Sequence, residues 1–179
     1  EVSLAKGIEI SGNLTDLSAS AVIKNQAVEM RAFGSKLLLK FNLDEVQGEI
    51  EVSLQGDPIS VISNLGKEGH FGATTKIAGL LCQGSLVIAG KKISFQDSLG
   101  ALDRTLGFFP INTYWNWLST CGRDANGRVF GINLSRGVHD QPSLSENCIW
   151  IDGKPNTLMH THFDFISAAM PNVWRVTSL

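Results

Sequence analysis

Residues 114–134 read YWNWLSTCGRDANGRVFGINL, and the punctuation is that of two strands and a turn. Large apolar residues alternate with polar ones on either side of Asp124-Ala125-Asn126-Gly127, a run of residues that tolerate positive φ. The pattern predicts strands at 114–121 and 128–134 joined by 122–127. In an extended strand successive side chains point to opposite faces, so Trp115 and Trp117 are expected on one face and Asn116 on the other.

The same alternation recurs toward both ends of the chain, and helical periodicity is scarce. Upstream, strands are expected at 7–11, 19–24, 27–33, 36–42 and 48–55, with turns at Gly12-Asn13, Asn25-Gln26 and Gly34-Ser35. A connection is expected at 57–72, which carries Pro58, Asn64-Leu65-Gly66 and Gly69-His70. Strands follow at 73–81, 82–88 and 91–96, with a tight hairpin at Gly90 ahead of Lys91-Lys92, then a loop at 97–110. Downstream, a loop at 135–145 precedes strands at 147–151 and 156–165, which flank Asp152-Gly153-Lys154-Pro155, and a last strand at 173–178. A short Ser-rich helix at 14–20 is the one helical candidate.

The fold class that follows is all-β and antiparallel, closed into a barrel or stacked as a sandwich so that strand edges are hidden. Residues 1–72 read as an N-terminal β-meander, the end of a first barrel, and 73–179 as a β-barrel portion. The chain opens on Glu1 rather than Met and stops at Leu179 inside a strand pattern, so a piece of something longer is expected.

Composition narrows the partners. The chain has 179 residues, 43% of them hydrophobic and 18% charged, with a net charge of -2; this is a globular profile, long enough for a core without staples. No basic block marks a nucleic-acid surface, so no nucleic-acid partner is expected. The longest apolar runs fall far short of the roughly 20 residues that span a bilayer. With no signal-peptide pattern, and with Cys82, Cys121 and Cys148 odd in number and widely spaced, a soluble protein of the reducing cytoplasm is expected. The oligomeric state is left open.

The chemistry-bearing residues are few. No nucleophile elbow, phosphate-cradling loop or dinucleotide fingerprint is present, and no cysteine has an adjacent histidine or a C-x-x-C pattern. His160 and His162 share a face but have no third ligand fixed by spacing, so neither metal nor cofactor is expected. The paired indoles either fill a barrel interior or wall a pocket for an isoprenoid, a lipid tail or a carbocation. Among the acids, Asp103 beside Arg104 and Glu146 within Ser145-Glu146-Asn147 stand out. A carboxyl in an apolar cavity has a raised pKa and can protonate an alkene; the plainer reading is a loop ion pair or a turn-fastening carboxylate.

Five short motifs occur in order: Tyr114-Trp115-Asn116-Trp117, Gly131-Ile132-Asn133-Leu134, Ser145-Glu146-Asn147, Ile151-Asp152-Gly153 and Pro171-Asn172-Val173-Trp174. With them the chain, from about Lys76 to its end, resembles the bacterial family called domain of unknown function 2804. That family is distantly similar to the lipocalin-like (calycin) double barrels of carotenoid hydratases (hydroxyneurosporene synthases) and to fungal pericyclase relatives. The resemblance implies a lipocalin-like barrel, or part of a tandem double barrel incomplete at its C-terminus, around an apolar cavity. It also places Asp103-Arg104 where the hydratases carry an acidic loop residue ahead of the aromatic strand, although Leu106-Gly107-Phe108-Phe109-Pro110 departs from their wording.

Three functions are therefore carried forward. The first is binding of a hydrophobic small molecule in a cavity lined by Trp115, Trp117, Phe130 and Trp150, with Tyr114 in the same motif. The second is acid-catalysed hydration or rearrangement of an isoprenoid alkene, with Asp103 as proton donor, Arg104 setting its environment and Glu146 as the other acid. The third is a β-rich interaction module whose exposed edges pair with another chain.

Overall fold

The computed structural model describes residues 18–23, 25–65, 69–141, 144–166 and 173–178. The strand expected at 7–11, the turn at Gly12-Asn13 and Pro171-Asn172 lie outside them. Every strand pairing is antiparallel and no helix occurs among the described residues. The described pairings form one large sheet and three smaller ones, and none of these is seen to close on itself.

The strands are β1 (Ser18–Ile23), β2 (Gln26–Phe33), β3 (Lys36–Asn42), β4 (Val46–Ser53), β5 (Ile59–Asn64), β6 (Phe71–Ile88) and β7 (Lys91–Phe108). They continue with β8 (Asn116–Arg123), β9 (Val129–Arg136), β10 (Asp140–Gln141), β11 (Leu144–Ser145), β12 (Cys148–Ile151), β13 (Lys154–Thr157), β14 (Thr161–Ile166) and β15 (Val173–Ser178). The chain divides into two compact units, Glu1–Gln55 with Leu80–Gly100, and Gly56–Gly79 with Ala101–Leu179. The long strands β6 and β7 contribute to both.

In the first unit β1 to β4 form a meander that ends against the second half of β6. Pairing places Leu37 opposite Val52 and Val52 opposite Cys82, so one row of buried apolar side chains crosses three strands. The turns follow backbone sterics. Ala89 and Gly90 both take positive φ (48° and 78°) in the β6–β7 hairpin, the mirror-image turn that suits the strands' twist.

In the second unit β5 pairs with the first half of β6, and β13, β12, β9 and β8 form a four-stranded sheet. Asp152 and Gly153 (φ 48° and 77°) make the β12–β13 turn, again with both residues left-handed. The β8–β9 loop is organised by Asp124, whose Oδ1 accepts the backbone N–H groups of Asn126 and Arg128 while Oδ2 accepts from Arg128 Nε at 2.7 Å. The hydrogen bond from Arg128 holds this carboxyl below its usual range. Gly131 of β9 lies so close to β6 that a Cβ there would stand 2.3 Å from the Ala78 carbonyl carbon. The buried side chains of this unit include Val61, Ile77, Ala78, Leu134, Cys148 and Trp150.

Several expected boundaries move. The segment 57–72 is not only a connection: β5 lies within it, and Val61 and Ser63 are buried in alternation behind the punctuating Pro58 and Asn64. The two strands expected at 73–81 and 82–88 are one, with Gly79 (φ 85°) inside it. The loop expected at 97–110 is strand to Phe108, because its partner β6 is as long and Asp97 (φ 55°) absorbs the local irregularity. The expected loop at 135–145 holds the end of β9 and the short pair β10–β11, and the strand expected at 156–165 is interrupted at 158–160. In the helix candidate, 18–20 belong to β1.

Candidate functional site

The second unit contains a cavity of about 460 Å³, the size that holds a small organic ligand. Its walls are Phe109, Pro110, Ile111, Thr113, Trp115, Trp117 and Val138, and its polar groups are Lys76, Asp103, Thr105, His139 and Glu146. Strand parity explains this partition. Thr74 and Lys76 fall on the same face of β6 as Ala78, and Asp103 and Thr105 share a face of β7.

Lys76 is the centre of the polar group. Its side chain is 8% exposed, and its Nζ stands 2.7 Å from Asp103 Oδ2 and 3.3 Å from Glu146 Oε2. The same ammonium lies 5.2 Å from the centroid of the Trp117 ring, within cation–π range. Thr105 Oγ1 donates to Asp103 Oδ1 at 2.9 Å and lies 3.1 Å from Thr74 Oγ1, so the carboxylate is held from two sides. Glu146 is almost wholly buried, and that burial raises its pKa above 4.5, with the Lys76 charge pulling in the opposite direction.

Buried amides and backbone bonds fasten this arrangement. Trp117 Nε1 donates to Asn133 Oδ1 at 2.8 Å, and Asn133 Nδ2 donates to the Glu146 carbonyl at 2.9 Å. Asn147 Oδ1 accepts from Ser135 N at 2.6 Å, and Glu146 N donates to the His139 carbonyl at 2.9 Å. His139 is buried with Nδ1 2.9 Å from Ser63 Oγ and its ring edge-on to Phe109. Gly72 leaves the room for that ring, since a Cβ there would stand 2.7 Å from His139 Cε1.

The residues singled out from sequence separate into two groups. Asp103, Glu146, Trp115 and Trp117 converge on the cavity, and the two indoles are 56% and 50% exposed. Trp115 and Trp117 also border a more open groove of about 580 Å³ with Phe163, Trp174 and Val176. The others lie elsewhere. Arg104 falls between Asp103 and Thr105 on the opposite face of β7 and is not a lining residue. Tyr114 is 84% exposed and borders a different, polar hollow. Phe130 touches none of these hollows; its ring covers Gly122 across the β8–β9 pair. Trp150 is fully buried, donates from Nε1 to the Asp57 carbonyl at 2.9 Å, and borders a small hollow of about 80 Å³ that Lys76, Asp103 and Trp117 also line.

Sequence reasoning missed Lys76 and gave His139 no part. The signal for Lys76 was available: it occupies the same parity as Ala78, Leu80 and Cys82, so a charge stands where the strand turns inward. His139 carried no such signal, since its place depends on contacts with Ser63 and Phe109 from distant segments. Of the histidine pair, His162 Nε2 lies 2.8 Å from Asp164 Oδ1 and both are exposed. No group of three or more potential metal ligands occurs among the described residues. No helix among them is long and apolar enough to cross a membrane.

Residues 3–179 match the family described as "Domain of unknown function (DUF2804)". The match extends the likeness seen from about Lys76 onward to nearly the whole chain. Neither the curated proteins nor the solved structures contain a match to this chain.

Proposed function

Since the chain belongs to the domain of unknown function 2804 family, we propose that its second unit binds a hydrophobic small molecule, isoprenoid- or lipid-like, within a lipocalin-like antiparallel scaffold. The observation that carries this reading is the cavity of about 460 Å³ with aromatic and aliphatic walls that include two half-exposed indoles. Large apolar side chains left uncovered around a hollow are the usual mark of a ligand site. For a ligand of about twenty non-hydrogen atoms at about -0.3 kcal/mol each, the binding energy is about -6 kcal/mol, which lies between millimolar and micromolar affinity.

Titration of the protein with an apolar fluorophore, following indole emission, tests it. Saturable quenching is expected, and Thr113→Trp, which fills the cavity from its lining, should remove it. Quenching that rises linearly without saturation, or that survives the filled cavity, refutes the reading.

A second reading is favoured by one observation. Glu146 faces the cavity with its proton affinity raised by burial, which suits a general acid. In that chemistry the Glu146 carboxyl gives its proton to an alkene carbon, water captures the cation, and the proton lost by that water returns to the carboxylate. Asp103 is the less suited donor, since both its oxygens are already engaged, Oδ2 by the Lys76 ammonium at 2.7 Å and Oδ1 by the Thr105 hydroxyl at 2.9 Å. Alkene turnover that vanishes in Glu146→Gln and persists in Asp103→Asn is the expected outcome; the reverse pattern restores Asp103 as donor.

A further inference from the structure

We infer that the cavity takes amphiphiles with an uncharged hydroxyl head group and turns away those that end in a carboxylate. The inference rests on the cavity being a lipophile site and concerns what its polar end recognises. Among the described residues that line it, Lys76 is the one lysine or arginine. That ammonium is already engaged by Asp103 at 2.7 Å and by Glu146 at 3.3 Å, and it lies over the Trp117 ring.

A fatty or polyene carboxylate entering head first therefore meets two carboxyl groups and a cation that is shared between them. Like charges a few ångströms apart in a partly buried place oppose each other. A hydroxyl has no such conflict. It carries one donor and two acceptor positions, so it can donate to the Asp103 carboxylate while accepting from the ammonium. The Thr105 hydroxyl, 2.9 Å from Asp103 Oδ1, already makes that kind of contact within the site. The tail then lies against Phe109, Val138, Trp115 and Trp117.

Retinol and retinoic acid share a hydrocarbon skeleton and differ in the head group, so their comparison isolates it. At pH 7.5 the full chain is expected to bind retinol with a Kd at least tenfold below that for retinoic acid, read from quenching of indole emission. Asp103→Asn withdraws one anion from Lys76 and is expected to reduce that ratio at least fivefold. Retinoic acid binding as tightly as retinol, or a ratio unchanged in Asp103→Asn, overturns the head-group preference and leaves the lipophile site standing. Failure of both retinoids to saturate overturns the lipophile site and the preference with it. The wild-type ratio is decisive on its own, whatever the variant's folding yield.

Discussion

Lys76 on β6 and Asp103 on β7 meet with Nζ and Oδ2 2.7 Å apart, and Glu146 approaches the same ammonium from the segment after β11 at 3.3 Å. Three elements distant in sequence thus share one buried charge. The lysine sits where strand parity calls for an apolar side chain, and its two carboxylate partners and the Trp117 face are what make that position tolerable.

Replacing Lys76 with Met keeps much of the side chain's length and removes its charge, leaving two carboxyl groups without their cation. Removing one member of a fully buried pair costs about 3–5 kcal/mol. Asp103 is 35% exposed, so water carries part of the loss, and about 2 kcal/mol is expected in urea unfolding. Lys36→Met, which breaks the exposed pair with Glu51, should leave the urea midpoint nearly unchanged, since water and salt screen such a pair. Equal losses in the two variants would show that Lys76 is not held as a buried charge.

Much of the sheet structure was legible because period-2 patterning and turn residues act locally: Asp124 to Gly127, Gly34 and Asp152-Gly153 mark their hairpins by steric preference alone. β5 was missed because Pro58 precedes it and Asn64 ends it, and its pairing depends on a strand that begins only at Phe71. Likewise β7 runs past Asp97 because β6 is there to receive it. For the site, local reading found Asp103, Glu146 and the two indoles. It could not separate Trp117, half-exposed and lining the cavity, from Trp150, sealed in the core, since both lie in strands and only tertiary packing distinguishes them.

Gly131 shows that packing directly. A Cβ on it would overlap the Ala78 backbone at 2.3–2.5 Å, and backbone cannot rotate away as a side chain can. Gly131→Ala should cost about 3 kcal/mol, the upper end of overpacking losses, and lower the melting temperature by about 6–12 °C. Gly127→Ala, with nothing within 4 Å but a φ of 80°, should cost about 1 kcal/mol from backbone strain alone. A Gly131→Ala protein that melts with the wild type would mean β9 and β6 are not in this contact.

The three thiols should differ in reactivity. Burial pushes the Cys148 thiol up to about 11, so at pH 8 about one molecule in a thousand carries the thiolate that attacks a disulfide reagent. Cys82 is also buried, whereas Cys121 is only partly covered. A thiol-exchange reagent at pH 8 should therefore label Cys121 first, with Cys148 reacting only as the chain unfolds in denaturant. Rapid labelling of Cys148 in the folded protein contradicts its enclosure between β9 and β13.

Glu146 should give this protein an inverted carboxylate signature. Its pKa in the folded state is raised above 4.5, first by burial and against the pull of Lys76. Between 4.5 and that raised value the folded chain holds a proton that the unfolded chain has released, so the native state binds more protons and stability falls as pH rises through the window. A carboxylate with a depressed pKa behaves in the opposite sense. Glu146→Gln removes the titration, while any change in hydrogen bonding adds an offset that does not vary with pH. The urea midpoint of the Gln variant relative to the wild type should therefore climb from pH 4.5 upward and level off once the native Glu146 is ionised. A relative midpoint that falls with rising pH below pH 4.5 and stays flat above it would mean that Lys76 outweighs burial and holds Glu146 as a carboxylate, which removes the general-acid reading along with it.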